Sequence, residues 1–263
     1  SCMFVPLNAQ ASLMDMLRGV VIASGNDASK ALAEHVGGSE SGFVAMMNAE
    51  AKKLGMTHTQ FANAAGLPDP NNKASARDLA VLAAAIIRNS AEYYPIYAER
   101  EFTYNGIKQG NRNALLYTDP TVDGLKTGHT EEAGYCLTAS AKRNGMRLIS
   151  VIMNADSKQG RADQTRVLFN WGYANFEEAT PAQAGATLAS AKVTYGVVPT
   201  VNAGIAQAWT LVVPKGQAAA VQTTVSLNPQ LEAPIAKGAV IGKIVATANG
   251  KPLGEAPVIA LAD

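Results

Sequence analysis

The sequence predicts an α+β protein in which a domain of helices and strands precedes a small all-β domain. Two observations carry this prediction. In the first 176 residues, helical periodicity comes first, then strands separated by hairpin turns, then one last helix. After Phe176 the composition shifts to Ala, Val, Thr and Gly, arginine disappears, and no helical period remains. We therefore predict domains at residues 1–176 and 177–263, the second of them sandwich-like.

Four helices are predicted before the first strand, because apolar residues recur there at helical spacing. Ser39 and Ser75 are predicted N-caps, and Asp78 follows Ser75 at the spacing of a capping box. A loop of Gly, Pro and Asn residues covers 57–73. The predicted helices are Ser12–Ile22, Ala28–Val36, Ser39–Leu54 and Ser75–Ile87.

The strands follow the helices and are joined by short turns. Asn105-Gly106 and Asn144-Gly145 are typical of hairpins, so the sheet should be mostly antiparallel with helices packed on it. A closing helix is predicted at Arg161–Tyr173. The predicted strands are Glu101–Tyr104, Ile107–Asn111, Leu125–Thr127, Tyr135–Lys142 and Met146–Met153.

Composition excludes several classes of function. Hydrophobic residues make up 48% of the 263 residues, charged residues 16%, and the net charge is +1. This balance is typical of a globular core and gives no electrostatic case for binding nucleic acid. No apolar run approaches the ~18 residues of a membrane span. The three histidines have no metal-ligand spacing and no phosphate-binding glycine loop is present, so we expect no metal and no cofactor.

Two short motifs point to chemistry. Lys126-Thr127-Gly128 places a cation and a hydroxyl on one strand, followed by a residue against which another backbone can lie closely. Ser24-Gly25-Asn26 forms a polar turn between two helices, 102 residues before Lys126. Each has a plainer interpretation. The first could be a strand end with an exposed lysine, and in the second Asn26 or Asp27 could simply cap a helix.

Longer strings around these motifs make the pattern specific. They include Leu17-Arg18-Gly19, Ser75-Ala76-Arg77-Asp78, Asn111-Arg112-Asn113, Val122 to Thr130, Ala133-Gly134-Tyr135 and Lys158 to Arg161. With them the chain resembles the low-molecular-mass penicillin-binding proteins of the D-alanyl-D-alanine carboxypeptidase type. The resemblance implies a transpeptidase- and β-lactamase-like catalytic domain followed by a β-sandwich-like domain. It also implies a periplasmic location, peripheral to the inner membrane.

The resemblance assigns the protein serine-type acyl transfer. Its substrate would be a peptidoglycan stem peptide ending in D-Ala-D-Ala, and β-lactams would acylate the same nucleophile. Ser24 would relay a proton, Lys126 would act at its side, and Asn26 would bond the catalytic lysine and the substrate amide. The backbone N–H of His129 would complete the oxyanion hole.

The strand and one arginine would bind the free carboxylate of the substrate. We expect the direct contact from Thr127, beside the open backbone at Gly128, and mainly positioning from Lys126, because strand side chains alternate between faces. The resemblance adds Arg161, whose planar fork suits a carboxylate. The plainer interpretation of Arg161 is a solvated helix residue.

One element of the family pattern is not among these residues. None of the thirteen lysines has a serine three residues before it, so no Ser-x-x-Lys nucleophile motif occurs. We expect this chain to be the larger C-terminal portion of such an enzyme, inactive alone, whose N-terminal segment is absent or forms a separate cleaved chain. Membrane contact would need the family's C-terminal anchor, which the sequence also lacks.

Two alternatives stay open. A non-catalytic cell-wall-binding or scaffolding protein could keep the fold. A β-lactamase-like hydrolase would share the motifs, although residues 66–73 carry no glutamate to drive deacylation and the β domain does not belong to that architecture.

Overall fold

Four helices precede the strands in the computed structural model, which describes residues 1–263. Serine side chains begin three of these helices: Ser12, Ser39 and Ser75 each accept a hydrogen bond from the backbone N–H three residues on. The helix α2 begins at Asn26, two residues before the predicted start. The helices are α1 Leu13–Val21, α2 Asn26–Gly37, α3 Glu40–Lys53 and α4 Ala76–Asn89.

A three-stranded antiparallel sheet forms the centre of the first unit, which spans Ser1–Trp171. Its strands are β3 Val122–Thr130, β4 Gly134–Arg143 and β5 Met146–Ala155, in the order β3-β4-β5. A separate hairpin joins β1 Glu101–Tyr104 to β2 Ile107–Gly110 through Asn105-Gly106, both at positive φ. Since β3 is an edge strand, one side of its backbone is open to a ligand.

Two further helices begin in this unit, and the second of them continues beyond Trp171. The short helix α5, Leu115–Thr118, was not predicted. The helix α6 spans Lys158–Asn175 and begins three residues before the predicted Arg161. The Ser157 hydroxyl accepts a hydrogen bond from the Gly160 N–H at 2.8 Å, which fixes this earlier start.

The second unit, Gly172–Asp263, is built almost entirely of antiparallel strands. One sheet has the order β10-β11-β12-β8-β7, and a second pairs β6 with β9. Its core includes the buried Val201, Ile205, Ile241, Ile244 and Val258. The strands are β6 Phe176–Ala182, β7 Ala189–Lys192, β8 Thr200–Gly204, β9 Trp209–Pro214, β10 Val221–Leu227, β11 Val240–Ala248 and β12 Lys251–Ala260.

The architecture confirms the predicted α+β class and the antiparallel sheets, with a β-rich region after the helical one. None of the helices combines the length and the apolar character needed to cross a bilayer.

Candidate active site

A strained turn between α1 and α2 presents Ser24. Its φ is +56°, a left-handed conformation that residues with a Cβ rarely adopt. The next residue must be glycine, because a Cβ at Gly25 would lie 2.9 Å from the Met3 nitrogen and from Oδ1 of Asp27. The Asp27 carboxylate accepts hydrogen bonds from the N–H groups of Met3 at 2.8 Å and Val5 at 3.1 Å. The turn is therefore held by residues more than twenty positions away.

The ammonium of Lys126 connects this turn to the edge strand β3. Its Nζ donates to Ser24 Oγ at 2.8 Å and to the Thr127 carbonyl at 3.0 Å. The structure thus brings together the two motifs that lie 102 residues apart in the sequence. A hydroxyl paired with a lysine at this distance is an arrangement able to move a proton.

The surroundings of Lys126 favour its neutral form. Burial, and then the charges of Arg112 and Arg161, lower its pKa to about 8 from the ordinary 10.5. A lysine with this pKa has a larger neutral fraction near neutral pH than a lysine in water, which is almost fully charged. The group is therefore suited to acid–base work beside Ser24.

The remaining predicted residues surround one cleft of about 1030 Å³. Asn26 lines it as the first residue of α2, and its N–H donates to the Ser1 carbonyl at 2.8 Å. His129 is exposed, and its ring lies 4.1 Å from the ring of Tyr135. Also lining the cleft are Ser24, Lys126, Thr127, Gly128 and Arg161, so all seven predicted residues meet there.

Lys126 and Thr127 both line this cleft, although alternation along a strand predicted that only one would face it directly. The four-carbon stem of the lysine accounts for the difference, since it carries the ammonium to Ser24. Gly128 leaves the cleft side of the strand open. A Cβ there would contact only the Cβ of Cys136, at 3.7 Å, so internal packing does not require glycine.

Arg161 is not a solvated helix residue, because only 5% of it is exposed. Its Nη1 donates to the carbonyls of Gly128 at 3.1 Å and Cys136 at 3.3 Å, and its Nη2 donates to the Arg112 carbonyl at 3.3 Å. Its guanidinium also lies 5.7 Å from the centre of the Tyr135 ring. A guanidinium has five N–H donors, so these three bonds leave two of them without a carbonyl partner.

Strand β3 is fixed at its other end by a polar network. Asp123 accepts hydrogen bonds from Tyr94 at 2.9 Å and from Arg147 at 2.8 Å, and Arg147 also donates to Ser140 at 2.6 Å. The buried Asn113 donates to the Gly124 carbonyl at 3.1 Å. With Arg161 beyond Thr127, these contacts hold the Lys126 backbone from both sides.

Several residues that line the cleft were given no role from the sequence. Arg112 and Lys158 are the charged ones, and Tyr135 and the loop from Ala64 to Pro68 form other walls. The string Asn111-Arg112-Asn113 had carried part of the resemblance, which was the available signal for Arg112. Lys158 begins the string Lys158 to Arg161, which had carried another part of the resemblance.

Two family models match successive parts of this chain. A family model described as D-alanyl-D-alanine carboxypeptidase matches residues 1–157, and one described as the penicillin-binding protein 5 C-terminal domain matches 176–263. The D-alanyl-D-alanine carboxypeptidase DacA of Haemophilus influenzae is 45% identical over 97% of this chain, and DacC of Escherichia coli is 43% identical over 99%. This chain spans 66% of each relative's length.

Solved structures give the same result. The structure of penicillin binding protein 5 from Haemophilus influenzae is 44% identical, with a TM-score of 0.84 over all of this chain and 77% of that one. Penicillin-binding protein D2 from Listeria monocytogenes, solved in an ampicillin-bound form, is 32% identical. Its TM-score is 0.58 over 64% of this chain and 74% of that one.

Proposed function

This chain belongs to the D-alanyl-D-alanine carboxypeptidase family, and from that premise we propose that its protein is a serine-type carboxypeptidase. It would remove the terminal D-alanine from peptidoglycan stem peptides and would be acylated by β-lactams. The observation that carries the proposal is the 2.8 Å hydrogen bond from Lys126 to Ser24, inside a cationic cleft beside an open edge strand.

The proposed reaction has two stages. A serine attacks the carbonyl between the two D-alanines, the C–N bond breaks, and the departing amine takes a proton as D-alanine leaves. Water then attacks the acyl-enzyme ester and regenerates the serine. The nucleophile and its lysine base must be supplied outside these 263 residues, since no Ser-x-x-Lys occurs among them.

The residues described here would move the proton and stabilise charge. Ser24 would relay the proton to the leaving amine, and Lys126 would hold the Ser24 hydroxyl and set its acidity through the 2.8 Å bond. Asn26 would bond the base and the substrate amide. The His129 N–H would donate to the oxyanion that forms only in the transition state.

The substrate's carboxylate would lie along β3. Thr127 offers a hydroxyl, Arg161 retains two unused N–H donors, and the absent side chain at Gly128 lets the peptide approach the strand. Desolvating a carboxylate requires such charged and polar partners. Because peptidoglycan lies outside the cytoplasm, we further propose a periplasmic location, peripheral to the inner membrane through an anchor outside this chain.

The test measures D-alanine release from a synthetic peptide ending in D-Ala-D-Ala, using the protein produced from its full reading frame. We expect Lys126→Ala to lower kcat/KM by about 10²- to 10⁴-fold, the range for a lost proton-transfer group. Lys142→Ala, an exposed lysine on the neighbouring strand β4, is the matched control. Hydrolysis that Lys126→Ala leaves unchanged would refute the assignment.

Two other outcomes identify the alternatives. Stoichiometric penicillin binding without any peptide hydrolysis would indicate a non-catalytic cell-wall-binding protein. Rapid multiple turnover of penicillin would indicate a β-lactamase.

A further inference from the structure

One wall of the cleft comes from the loop between α3 and α4. Residues 64–68 of this loop line the cleft, and none of them carries a charge. We call residues 60–73 the wall loop and residues 64–68 its tip. The wall loop is closed at its base, where Gln60 and Lys73 exchange two backbone hydrogen bonds of 2.8 Å. Compact surface loops whose ends lie close together are frequently functional.

The side chain of Asn63 organises the tip. Its Oδ1 accepts hydrogen bonds from the N–H groups of Ala65 at 3.2 Å and Leu67 at 2.9 Å. Its Nδ2 donates to the Leu67 carbonyl at 2.9 Å. One side-chain amide therefore binds backbone groups on both sides of Gly66.

Contacts from α3 reach the wall loop only as far as the first residue of the tip. The Asn48 side chain accepts a hydrogen bond from the Phe61 N–H at 2.8 Å and donates to the Phe61 carbonyl at 2.9 Å. The Glu40 carboxylate accepts from the Ala64 N–H at 3.2 Å. These bonds fix the approach to the tip, and Asn63 acts beyond them.

Packing does not hold the rest of the tip in place. A Cβ at Gly66 would meet no atom within 4 Å, and Leu67 is 40% exposed. Asn72 adds one long hydrogen bond, at 3.4 Å, to the Leu67 carbonyl. A segment with few packing contacts opens at low free energy when its hydrogen bonds are removed. The conformation of the tip therefore depends mainly on Asn63.

The tip offers the cleft an apolar surface. Thr127 and Arg161 provide a hydroxyl and a cation for the proposed carboxylate, whereas Leu67 provides hydrocarbon in the same cleft. A peptide bound by its terminal carboxylate still has apolar atoms in water, among them the side-chain stem of the residue before D-Ala-D-Ala. Moving this stem from water onto Leu67 is favourable.

We propose that Asn63 is a positioning residue for the carboxypeptidase reaction. It holds the tip in the conformation in which Leu67 packs against the side chain that precedes D-Ala-D-Ala. Asn63 itself acts through Leu67 and contacts no reacting atom. This inference rests on the proposed carboxypeptidase function and names the residue that sets its preference for that side chain.

The test compares two peptides that differ only in the side chain before D-Ala-D-Ala. One is Nα,Nε-diacetyl-L-Lys-D-Ala-D-Ala, and the other is Nα-acetyl-Gly-D-Ala-D-Ala. With the protein from its full reading frame, we expect the lysine peptide to have the higher kcat/KM. Asn63→Ala should lower the lysine-to-glycine ratio about 3- to 10-fold, the effect of one or two methylene groups left in water. Both peptides meet the same enzyme, so a loss of folded protein does not change this ratio.

Two matched variants serve as controls. Asn63→Asp keeps the oxygen that accepts from Ala65 and Leu67, so its ratio should lie closer to that of the unaltered protein. Asn71 belongs to the same loop, does not line the cleft, and bonds Asp69 through its backbone N–H. Asn71→Ala should therefore leave the ratio unchanged.

A double variant tests whether Asn63 acts through Leu67. Leu67→Ala should lower the ratio by itself, and adding Asn63→Ala should lower it little further, because the two changes remove the same contact. If the two effects multiply in full, Asn63 does not act through Leu67 and the proposal is wrong.

The remaining outcomes separate this inference from the function beneath it. Equal kcat/KM for the two peptides in the unaltered protein, or equal ratios in Asn63→Ala and Asn71→Ala, overturns the positioning role and leaves the carboxypeptidase intact. Failure to hydrolyse either peptide overturns both.

Discussion

Replacing Arg161 by alanine should destabilise the fold as well as the site. The side chain is 5% exposed and donates three hydrogen bonds of 3.1 to 3.3 Å to backbone carbonyls. These distances are at the long end of the range, so we count about 1 kcal/mol for each bond. The contact with the Tyr135 ring adds about 0.5–1 kcal/mol.

The cost of burying the guanidinium offsets part of the stabilisation from these contacts. The same burial is the first cause that lowers its pKa. We therefore expect Arg161→Ala to reduce the free energy of unfolding by about 2–4 kcal/mol. Replacing a solvated helix residue, the plainer interpretation of Arg161 from the sequence, would leave the fold stable, and the three backbone contacts exclude that interpretation. At temperatures where the variant stays folded, its activity should still be lower than that of the unaltered protein, because two donors for the substrate carboxylate are lost.

Urea unfolding of the protein from its full reading frame measures the effect. Arg166→Ala is the matched control on the same helix, because Arg166 makes one exposed ion pair with Asp163, at 2.7 Å. Such pairs contribute about 0–1 kcal/mol. If Arg161→Ala and Arg166→Ala unfold with the same free energy, the backbone contacts of Arg161 do not stabilise the sheet and the reasoning is wrong.

The two remaining predictions concern ionisation. If turnover needs charged Lys126, kcat/KM measured against pH should fall above pH about 8. Arg112→Gln removes a like charge, so it should raise the pKa of Lys126 and move this fall to higher pH. A fall at the same pH in both proteins would contradict the assignment. Burial opposes ionisation of Asp27, but the N–H groups of Met3 and Val5 outweigh it and lower its pKa. The stability from Asp27 is therefore present above its ordinary pKa of 3.8 and lost as the pH falls through the lower folded value. Asp27→Asn should cost about 1–3 kcal/mol at pH 7 and less below pH about 4, as measured by unfolding at each pH, and a pH-independent difference would count against it.

Local signals explain which parts of the fold were predictable. The serine caps at Ser12, Ser39 and Ser75 act within three residues, and Asn105-Gly106 needs only its own positive φ values. The start of α2 was missed because its N-cap is Gly25, which makes no side-chain hydrogen bond, while Asn26 and Asp27 already lie in the helix. The Asp27 carboxylate instead accepts hydrogen bonds from N–H groups 22 and 24 residues earlier.

In the candidate site, too, local features could be predicted and long-range contacts could not. The two motifs could be recognised in the sequence by their residue types. The 2.8 Å hydrogen bond between Ser24 and Lys126, however, depends on how α1, α2 and β3 pack. The burial of Arg161 could not be predicted either, because its acceptors are carbonyls of β3, β4 and the Arg112 segment. Every residue type has a backbone carbonyl, so the sequence does not show which carbonyls will accept a hydrogen bond from an arginine.

The central claim is that these residues form the Ser24 and Lys126 side of an acyl-transfer site whose nucleophile lies elsewhere in the protein. Mass spectrometry after exposure to benzylpenicillin tests it directly, using the protein from its full reading frame and peptide mapping of the adduct. We expect one penicilloyl group, on a serine of a Ser-x-x-Lys sequence outside these 263 residues, formed more slowly in Lys126→Ala. An adduct on Ser24, or on any other serine of this chain, would contradict it.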